Sequence, residues 1–328
     1  MAFIARRLVF YLVAVWTAVT VNFLIPRVMP GNAVDSILGR FTNLTPQIVK
    51  ALEVQFGVGK QKGGIFGQYI QYWGDVLHFN LGISTSEYPT HVSTIIGETL
   101  PWTLALVGVA TILSFAIGTL LGVVAAWRRG GWLDRVMPAL TLLQATPYFF
   151  LALLMIYAFA IKLRWLPFGQ GYELGLTPGF NWAFISSAVT HSILPALTII
   201  ATSIGGWMLQ MRNVMLTTIS EDYILVAQAK GLSTRRVMFS YGARNAILPN
   251  IAGFALSLGF VVAGALVMEI VFSYPGVGYT LYNAVTNNDY PLLQGIFLVI
   301  SLAVLTASLL ADVAYAIADP RARTQSAF

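Results

Sequence analysis

Residues 221–249 read EDYILVAQAKGLSTRRVMFSYGARNAILP, the longest polar and charged interval between two clearly apolar segments of the chain. It carries Lys230, Arg235, Arg236 and Arg244. Ile224, Ala227 and Gly231, then Val237 and Tyr241, recur at spacings of three and four, which predicts two short helices. Between them lies Gly231-Leu232-Ser233. Glycine suits the position just past a helix end, and serine suits the N-cap of the next helix. A compact helix-turn-helix lying in water between two membrane spans is built to be gripped from outside. It reads as a docking surface, not as a reaction site.

The rest of the chain supplies those spans. Of 328 residues, 57% are hydrophobic and only 10% charged, and mean hydropathy is +0.74, whereas soluble domains carry about 25% charged residues. This is the composition of a membrane protein. There is no cysteine, which excludes disulfides, thiol catalysis and cysteine-built metal sites. Three histidines, at 78, 91 and 191, are scattered too widely to predict a metal cluster. The net charge of +6 is explained by Lys and Arg loaded on the cytoplasmic side.

Flanking the central interval, Ser192–Met211 and Asn250–Met268 are apolar, the first containing Pro195 and Gly205-Gly206. Leu8–Ile25 is an uncharged stretch after Arg6 and Arg7, and no small-residue cleavage site follows it, so a retained transmembrane helix is expected rather than a cleaved signal. Trp102–Trp127 is charge-free and closed by Arg128-Arg129; Gly118 and Gly122 within it form a small-xxx-small pair for close helix approach. Val136–Ile161 is apolar but interrupted near Pro147, where freed backbone groups are tolerable only against other helices or a water-filled cavity. Leu292–Ala311 closes the set. Six transmembrane helices in an all-α polytopic membrane protein are expected.

Between the spans, residues 27–101 are polar by comparison and too long for a simple turn, so they should fold over the outer face. Thr45–Phe56 reads as a short helix, with Thr45 as N-cap and Pro46 at its first position. Gly67–Leu77 reads as a second, with Tyr69, Tyr72 and Trp73 available for an interfacial aromatic belt. The Gly57–Gly64 run has the wrong spacing for a phosphate loop and reads as a loop tip. Asn43-Leu44-Thr45 matches a glycosylation sequon, which a bacterial context would make idle. The divisions are an N-terminal tail and first helix at 1–26, an extracytoplasmic insertion at 27–101, a five-helix core at 102–318 with the docking loop at 212–249, and a cytoplasmic tail at 319–328. With the N-terminus in the cytoplasm, twelve of the nineteen Lys and Arg residues fall on inner segments. Five of the seven outer ones lie in the long 27–101 segment, where charge counts for less. The short loops therefore place 212–244 inside.

On these residues the chain resembles a known family. Asp222-Tyr223, the run Ala227-Gln228-Ala229-Lys230-Gly231-Leu232-Ser233, and Arg244-Asn245-Ala246-Ile247-Leu248-Pro249 are similar to the cytoplasmic ATPase-docking loop of ABC-importer permeases. The wording is close to the dipeptide, oligopeptide and nickel branch. Leu225-Val226-Ala227 stand where the general motif has Glu-Ala-Ala, so only the second Ala is kept, and the interval from Gly231 to Leu248-Pro249 is longer, as in the peptide branch. Met29-Pro30-Gly31, Asn80-Leu81-Gly82-Ile83-Ser84, Thr99–Leu104, Phe272–Gly278, Asp289-Tyr290-Pro291 and Asp319-Pro320-Arg321 resemble further family motifs in order and spacing.

The resemblance implies the first ("B"-type) permease subunit of an importer of type I architecture, in the bacterial cytoplasmic (inner) membrane, with both termini cytoplasmic. It implies a second homologous permease subunit, two ATPase subunits and an extracytoplasmic substrate-binding protein as partners. ATP and Mg would be held on those ATPases, with no cofactor or metal on this chain. It assigns ATPase coupling to Ala227, Ala229, Lys230, Gly231, Leu232, Ser233, Arg235 and Arg236, with Asn245, Leu248 and Pro249 ending the loop. Peptides are the default substrate; glutathione-type compounds and chelated nickel remain alternatives.

From the residues themselves, no Ser/His/Asp set or Walker sequence supports catalysis, so this is not an enzyme and its energy source is separate. Gly231 has an alternative role as a plain helix terminator, and the Arg pair as a positive-inside signal. Glu269, at the outer end of the fifth span, is either pathway-lining or a carboxylate reaching interfacial water or a nearby partner. Two other classes fit the residues less well. A DNA-binding regulator lacks the third helix that such a domain needs, so no nucleic acid is expected. A self-contained secondary transporter predicts internal repeats and buried charges, of which the sequence shows little.

Overall fold

The computed structural model describes residues 2–28, 64–261 and 266–318. The expected helix Thr45–Phe56, most of the Gly57–Gly64 run, the Asn43 sequon and the Met29-Pro30-Gly31 and Asp319-Pro320-Arg321 motifs lie outside those residues. Among the described residues the chain is built from helices, with one isolated bridge between Ile83 and His91.

In chain order these are α1 (Ala2–Val28), α2 (Gly64–Leu77), α3 (Val92–Trp127), α4 (Trp132–Ala145), α5 (Tyr148–Lys162) and α6 (Trp182–Ile219). Then come α7 (Asp222–Ala229), α8 (234–246), α9 (Leu248–Val261), α10 (Leu266–Val271), α11 (Val277–Thr286) and α12 (Tyr290–Ala318). Of the six expected spans, α3, α6 and Tyr290–Leu310 of α12 are long and apolar enough to cross a membrane as single helices. The pair α4 and α5 passes together but is bent by 104°. Val9–Ile25 and Leu248–Val261 are shorter apolar stretches, and the second meets residues 262–265, which are not described.

Several helices outrun the apolar stretches that predicted them. α6 begins ten residues before Ser192 because the Asn181 side chain caps it, accepting the Phe184 N–H at 2.8 Å. It ends eight residues after Met211, and Arg212 is carried through by Nε donating to Asp134 Oδ1 at 2.8 Å. At 38 residues α6 is about 57 Å long, nearly twice the ~30 Å hydrocarbon thickness. α3 starts at Val92, ahead of Trp102, and continues through Pro101 by shifting to wider π-type turns over Leu104–Gly108. The break at Pro147 is sharper than an interrupted span: α4 and α5 are separate helices.

The chain divides into two compact units, residues Met1–Thr103 with Pro275–Thr306, and residues Leu104–Tyr274 with Ala307–Phe328. In the first unit, Val92, Ile95 and Ile96 pack with Val277, Ala284, Leu292, Leu293 and Ile296. Asp289, fully buried, caps α12 by accepting the Leu292 N–H at 3.0 Å. Its other oxygen accepts from the hydroxyls of Ser84 and Ser86 and from the Ser86 N–H. α2 lies against α1 rather than only offering rings to an interface. The Tyr69 and Thr20 hydroxyls are 2.7 Å apart, and Asn22 donates to the Tyr72 hydroxyl at 3.0 Å.

In the second unit α3 and α6 approach so closely that only glycine fits. A Cβ on Gly118 would lie 2.7 Å from Trp207 Cβ, and one on Gly122 would lie 2.6 Å from the Met208 carbonyl oxygen. The small-xxx-small expectation is therefore realised as a helix contact. Met211 and Met215 of α6 continue that contact with Val123, Ala126 and, from α8, Ala246.

Candidate functional site

The polar interval folds as the spacing predicts, with geometry that explains each residue. α7 buries Ile224 and Ala227 against Val237 of α8, with Leu232, Tyr241 and Trp127 around them. At its end the Gly231 N–H donates to the Gln228 carbonyl at 2.9 Å and the Leu232 N–H to the Ala227 carbonyl at 3.3 Å. With Gly231 at φ +71°, this is a Schellman motif, and the Leu232 contact with the α7 cluster is the hydrophobic seal that accompanies it. Ser233 does precede α8, but its side chain makes no capping hydrogen bond. Its place is fixed by its extended backbone, with its carbonyl accepting the Val237 N–H at 3.0 Å.

α8 ties this hairpin to the long helices. Ala246 is fully buried in the cluster formed with α3 and α6. The Asn245 amide donates across the hairpin to the Tyr223 hydroxyl at 3.0 Å and, within α8, to the Tyr241 carbonyl at 3.2 Å. Leu248 is half-buried and Pro249 exposed in the first turn of α9, where proline's missing N–H would have no helical acceptor in any case.

The outward face collects most of the predicted coupling residues. Ala229, Lys230, Gly231, Ser233, Arg235 and Arg236 are exposed. Ala227, at 3% exposure, and half-buried Leu232 are inside: they hold the turn and offer no surface. The sequence reading missed Leu225 and Val226, each more than half exposed, and the exposed Phe239 of α8. The signal was present. A helix apolar on every side within a polar loop has one face that its own chain cannot cover. Lys230, Arg235 and Arg236 make no ion pair among the described residues, so their charge faces outward. Arg212, at the root of the loop, is different: it is paired with Asp134, whose second oxygen also accepts the Gly130 N–H at 2.7 Å.

Glu269 is elsewhere in the second unit and completely buried on α10. Its carbonyl accepts the Tyr274 N–H at 2.8 Å, and the Tyr274 hydroxyl lies 3.0 Å from that of Ser192. Burial holds the Tyr274 phenol above its ordinary pKa. Gly169 packs its α-carbon against the Phe272 carbonyl, which also accepts the Gln170 N–H at 2.8 Å. This knot pins the 163–181 loop to the end of α10.

Comparison with known proteins gives the same answer from another direction. Residues 118–324 match the family described as "binding-protein-dependent transport system inner membrane component". A putative peptide permease protein of Brucella suis biovar 1 is 34% identical over 300 residues, covering 91% of this chain and 92% of that one. The di/tripeptide transport system permease protein DppB of Pseudomonas aeruginosa is 31% identical, with 99% of each chain covered. The oligopeptide transport system permease protein AppB of Bacillus subtilis is 31% identical, with 98% of each covered. The matched segment contains the whole helical hairpin, the α3–α6 contact that carries it and the broken α4–α5 pair. This chain, all-α and with several helices apolar enough to cross a bilayer, belongs to the family of inner-membrane permease components of binding-protein-dependent transport systems.

Proposed function

We propose that this chain is the first permease subunit of an ATP-driven importer of peptides, forming half of the translocation pathway. Its α7–α8 hairpin is the docking point for a cytoplasmic ATPase subunit. The observation that carries this reading is the two-sidedness of the hairpin: Ile224, Ala227, Val237 and Ala246 root it in the chain, while Leu225, Val226, Ala229 and the exposed Lys230, Arg235 and Arg236 face outward. An apolar patch with a cationic rim is the composition of an interface whose centre is dry and whose edge is wet. Because α8 packs on the ends of α3 and α6, a force on the hairpin is delivered to those helices, whose glycine-mediated contact moves them as a pair.

The partners in this reading are a second homologous permease, two ATPase subunits that bind ATP and Mg, and an extracytoplasmic substrate-binding protein. The chain crosses the membrane six times with both termini in the cytoplasm; the placement of Arg128, Arg129, Arg235 and Arg236 supports that orientation. Peptide as substrate is supported by the names of the relatives above, which are called peptide, di/tripeptide and oligopeptide permeases. Glu269, enclosed in the knot with Tyr274, is proposed to support the pathway wall near the outer end of α10. Affinity purification from the native membrane tests the reading. Recovery of a second permease, ATPase subunits and a binding protein is expected; a chain that purifies alone and transports when reconstituted alone would overturn it.

A further inference from the structure

The break at Pro147 opens onto a cavity of about 520 Å³ that lies wholly within the second unit. Its wall includes Gln144, Thr146 and Tyr148 at the break, Thr202 and Gln210 near the middle of α6, and Ser257 of α9. No Asp, Glu, Lys, Arg or His lines it. For a site flanked by apolar spans, the density of uncharged hydrogen-bonding groups is high, and their hydrogens are disposed unequally.

The hydroxyls of Thr146, Thr202 and Ser257 donate to carbonyls of their own helices, Leu142 at 3.0 Å, Thr198 at 3.0 Å and Phe254 at 2.7 Å. Their oxygens are left as acceptors. The side-chain amides of Gln144 and Gln210 have no hydrogen-bond partner among the described residues, so each offers donors and an acceptor. Gly206 makes room for one of them: a Cβ there would lie 2.8 Å from Gln144 Nε2 and 3.0 Å from its Oε1. Trp207 is itself part of the wall; its ring meets Phe115 edge-on at 5.3 Å, and Phe115 stacks on Phe254 at 4.2 Å, a rigid apolar backing.

We infer that this cavity is a binding site for the peptide main chain, in which Gln144 and Gln210 exchange hydrogen bonds with amide groups of the solute while the threonine and serine oxygens accept from its N–H groups. Every peptide unit carries one donor and one acceptor that must be satisfied wherever water is excluded. A wall that supplies both, and holds no charge, satisfies the backbone while neither trapping nor repelling any side chain. The volume falls within the range of small-molecule sites, so the solute is a short peptide read by its amides. The inference rests on the importer reading above and deepens it.

The test uses the complete transporter in membrane vesicles, with trialanine, alanyl-glutamate and alanyl-lysine as probes. Gln144→Leu and Gln210→Leu keep the side-chain bulk and remove the hydrogen bonds. Each is expected to lower ATP-driven uptake about fivefold, the loss of one neutral hydrogen bond, and by the same factor for all three probes. Unchanged uptake in an assembled transporter would overturn the site, and so would a loss confined to one charged probe. If a leucine variant fails to assemble, Gln144→Cys decides, since the chain has no other cysteine. Modification by a water-soluble methanethiosulfonate, slowed by trialanine, supports the site; an inert thiol in every nucleotide state overturns it. Failure of the importer reading shows separately, in an unsubstituted transporter that takes up no peptide on ATP, and that result would remove the site with it.

Discussion

Gly231 gives the sharpest prediction because the structure separates two reasons for a glycine there. Its φ of +71° is a conformation that side chains resist, yet a Cβ at this position would meet nothing within 4 Å. Substitution within the isolated chain is therefore a matter of backbone strain alone. A left-handed L-residue costs about 1–2 kcal/mol, and the lower chain entropy of a non-glycine residue offsets about 0.4–1 kcal/mol of that. The net for Gly231→Ala is about 0.5–1 kcal/mol, or roughly a two- to fivefold shift in the local opening of the turn. Gly231→Asn, tolerated in the left-handed region, should fall below that.

Gly231→Trp imposes the same strain but also fills the open space that a docked ATPase would occupy. Steric exclusion from a close-packed interface has no such small bound. Membrane content of all three variants should match the parent, because the turn makes only two of the hydrogen bonds that hold the hairpin. ATPase recovered with the permease, and ATP-driven dipeptide uptake, should fall no more than about twofold for Asn and about fivefold for Ala, and be lost for Trp. A Gly231→Trp chain that retains its ATPase and imports normally would refute the assignment of this face as the docking surface. Equal losses for Ala and Trp would place the effect in the turn instead.

The other predictions concern the supports of the site. Leu225→Asp with Val226→Asp, both on exposed positions, should leave the thermal stability of the purified chain within about 0.5 kcal/mol while abolishing ATPase recovery; parallel loss of both would mean the face is structural. Asp289→Ala removes an N-cap worth about 1 kcal/mol and takes away the shared acceptor of the buried Ser84 hydroxyl and of half-buried Ser86, for a total of about 2–3 kcal/mol; Asp289→Asn, which keeps the acceptor for the Leu292 N–H, should lose less in a thermal-melt comparison. Gly122→Ala forces a methyl to within 2.6 Å of the Met208 carbonyl and should destabilise by about 1–3 kcal/mol, lowering the melting temperature and slowing uptake, whereas Gly97→Ala, in the same helix with nothing within 4 Å of the added carbon, should leave the α3–α6 contact unchanged.

Much of this was legible in the residues. The hairpin announced itself because helical spacing, a glycine at the end of one helix and a serine opening the next all agreed within thirteen residues, from Ile224 to Arg236, although the Ser233 side chain makes no capping bond. The Gly118/Gly122 pair and the Pro147 break were legible for the same reason, as each is a backbone signal written at one place. Helix ends were not, since Asn181 and Arg212 extend α6 through a side-chain cap and an ion pair to a residue 78 positions away. Asp289 read only as part of a short motif, because its partners stand 203 and 205 residues earlier. The polar cavity was invisible for a related reason. Gln144, Thr202, Gln210 and Ser257 are each a single polar residue in an apolar stretch, and only packing brings them onto one wall. Ala227 and Leu232 show the reverse case: a motif names them as a unit with Ala229 and Lys230, while helix geometry turns the first two inward and the others out.

The central claim is that the exposed side of α7 and the turn after it touches an ATPase. A single cysteine at Val226, in a chain that otherwise has none, and a second at the fully exposed Phe180 of the 163–181 loop, allow thiol cross-linking in intact membranes. The account predicts a cross-link from Val226→Cys to an ATPase subunit that changes in yield with bound nucleotide, and none from Phe180→Cys. No cross-link at position 226 in a transporter that retains its ATPase, or an ATPase cross-link at position 180, would contradict it.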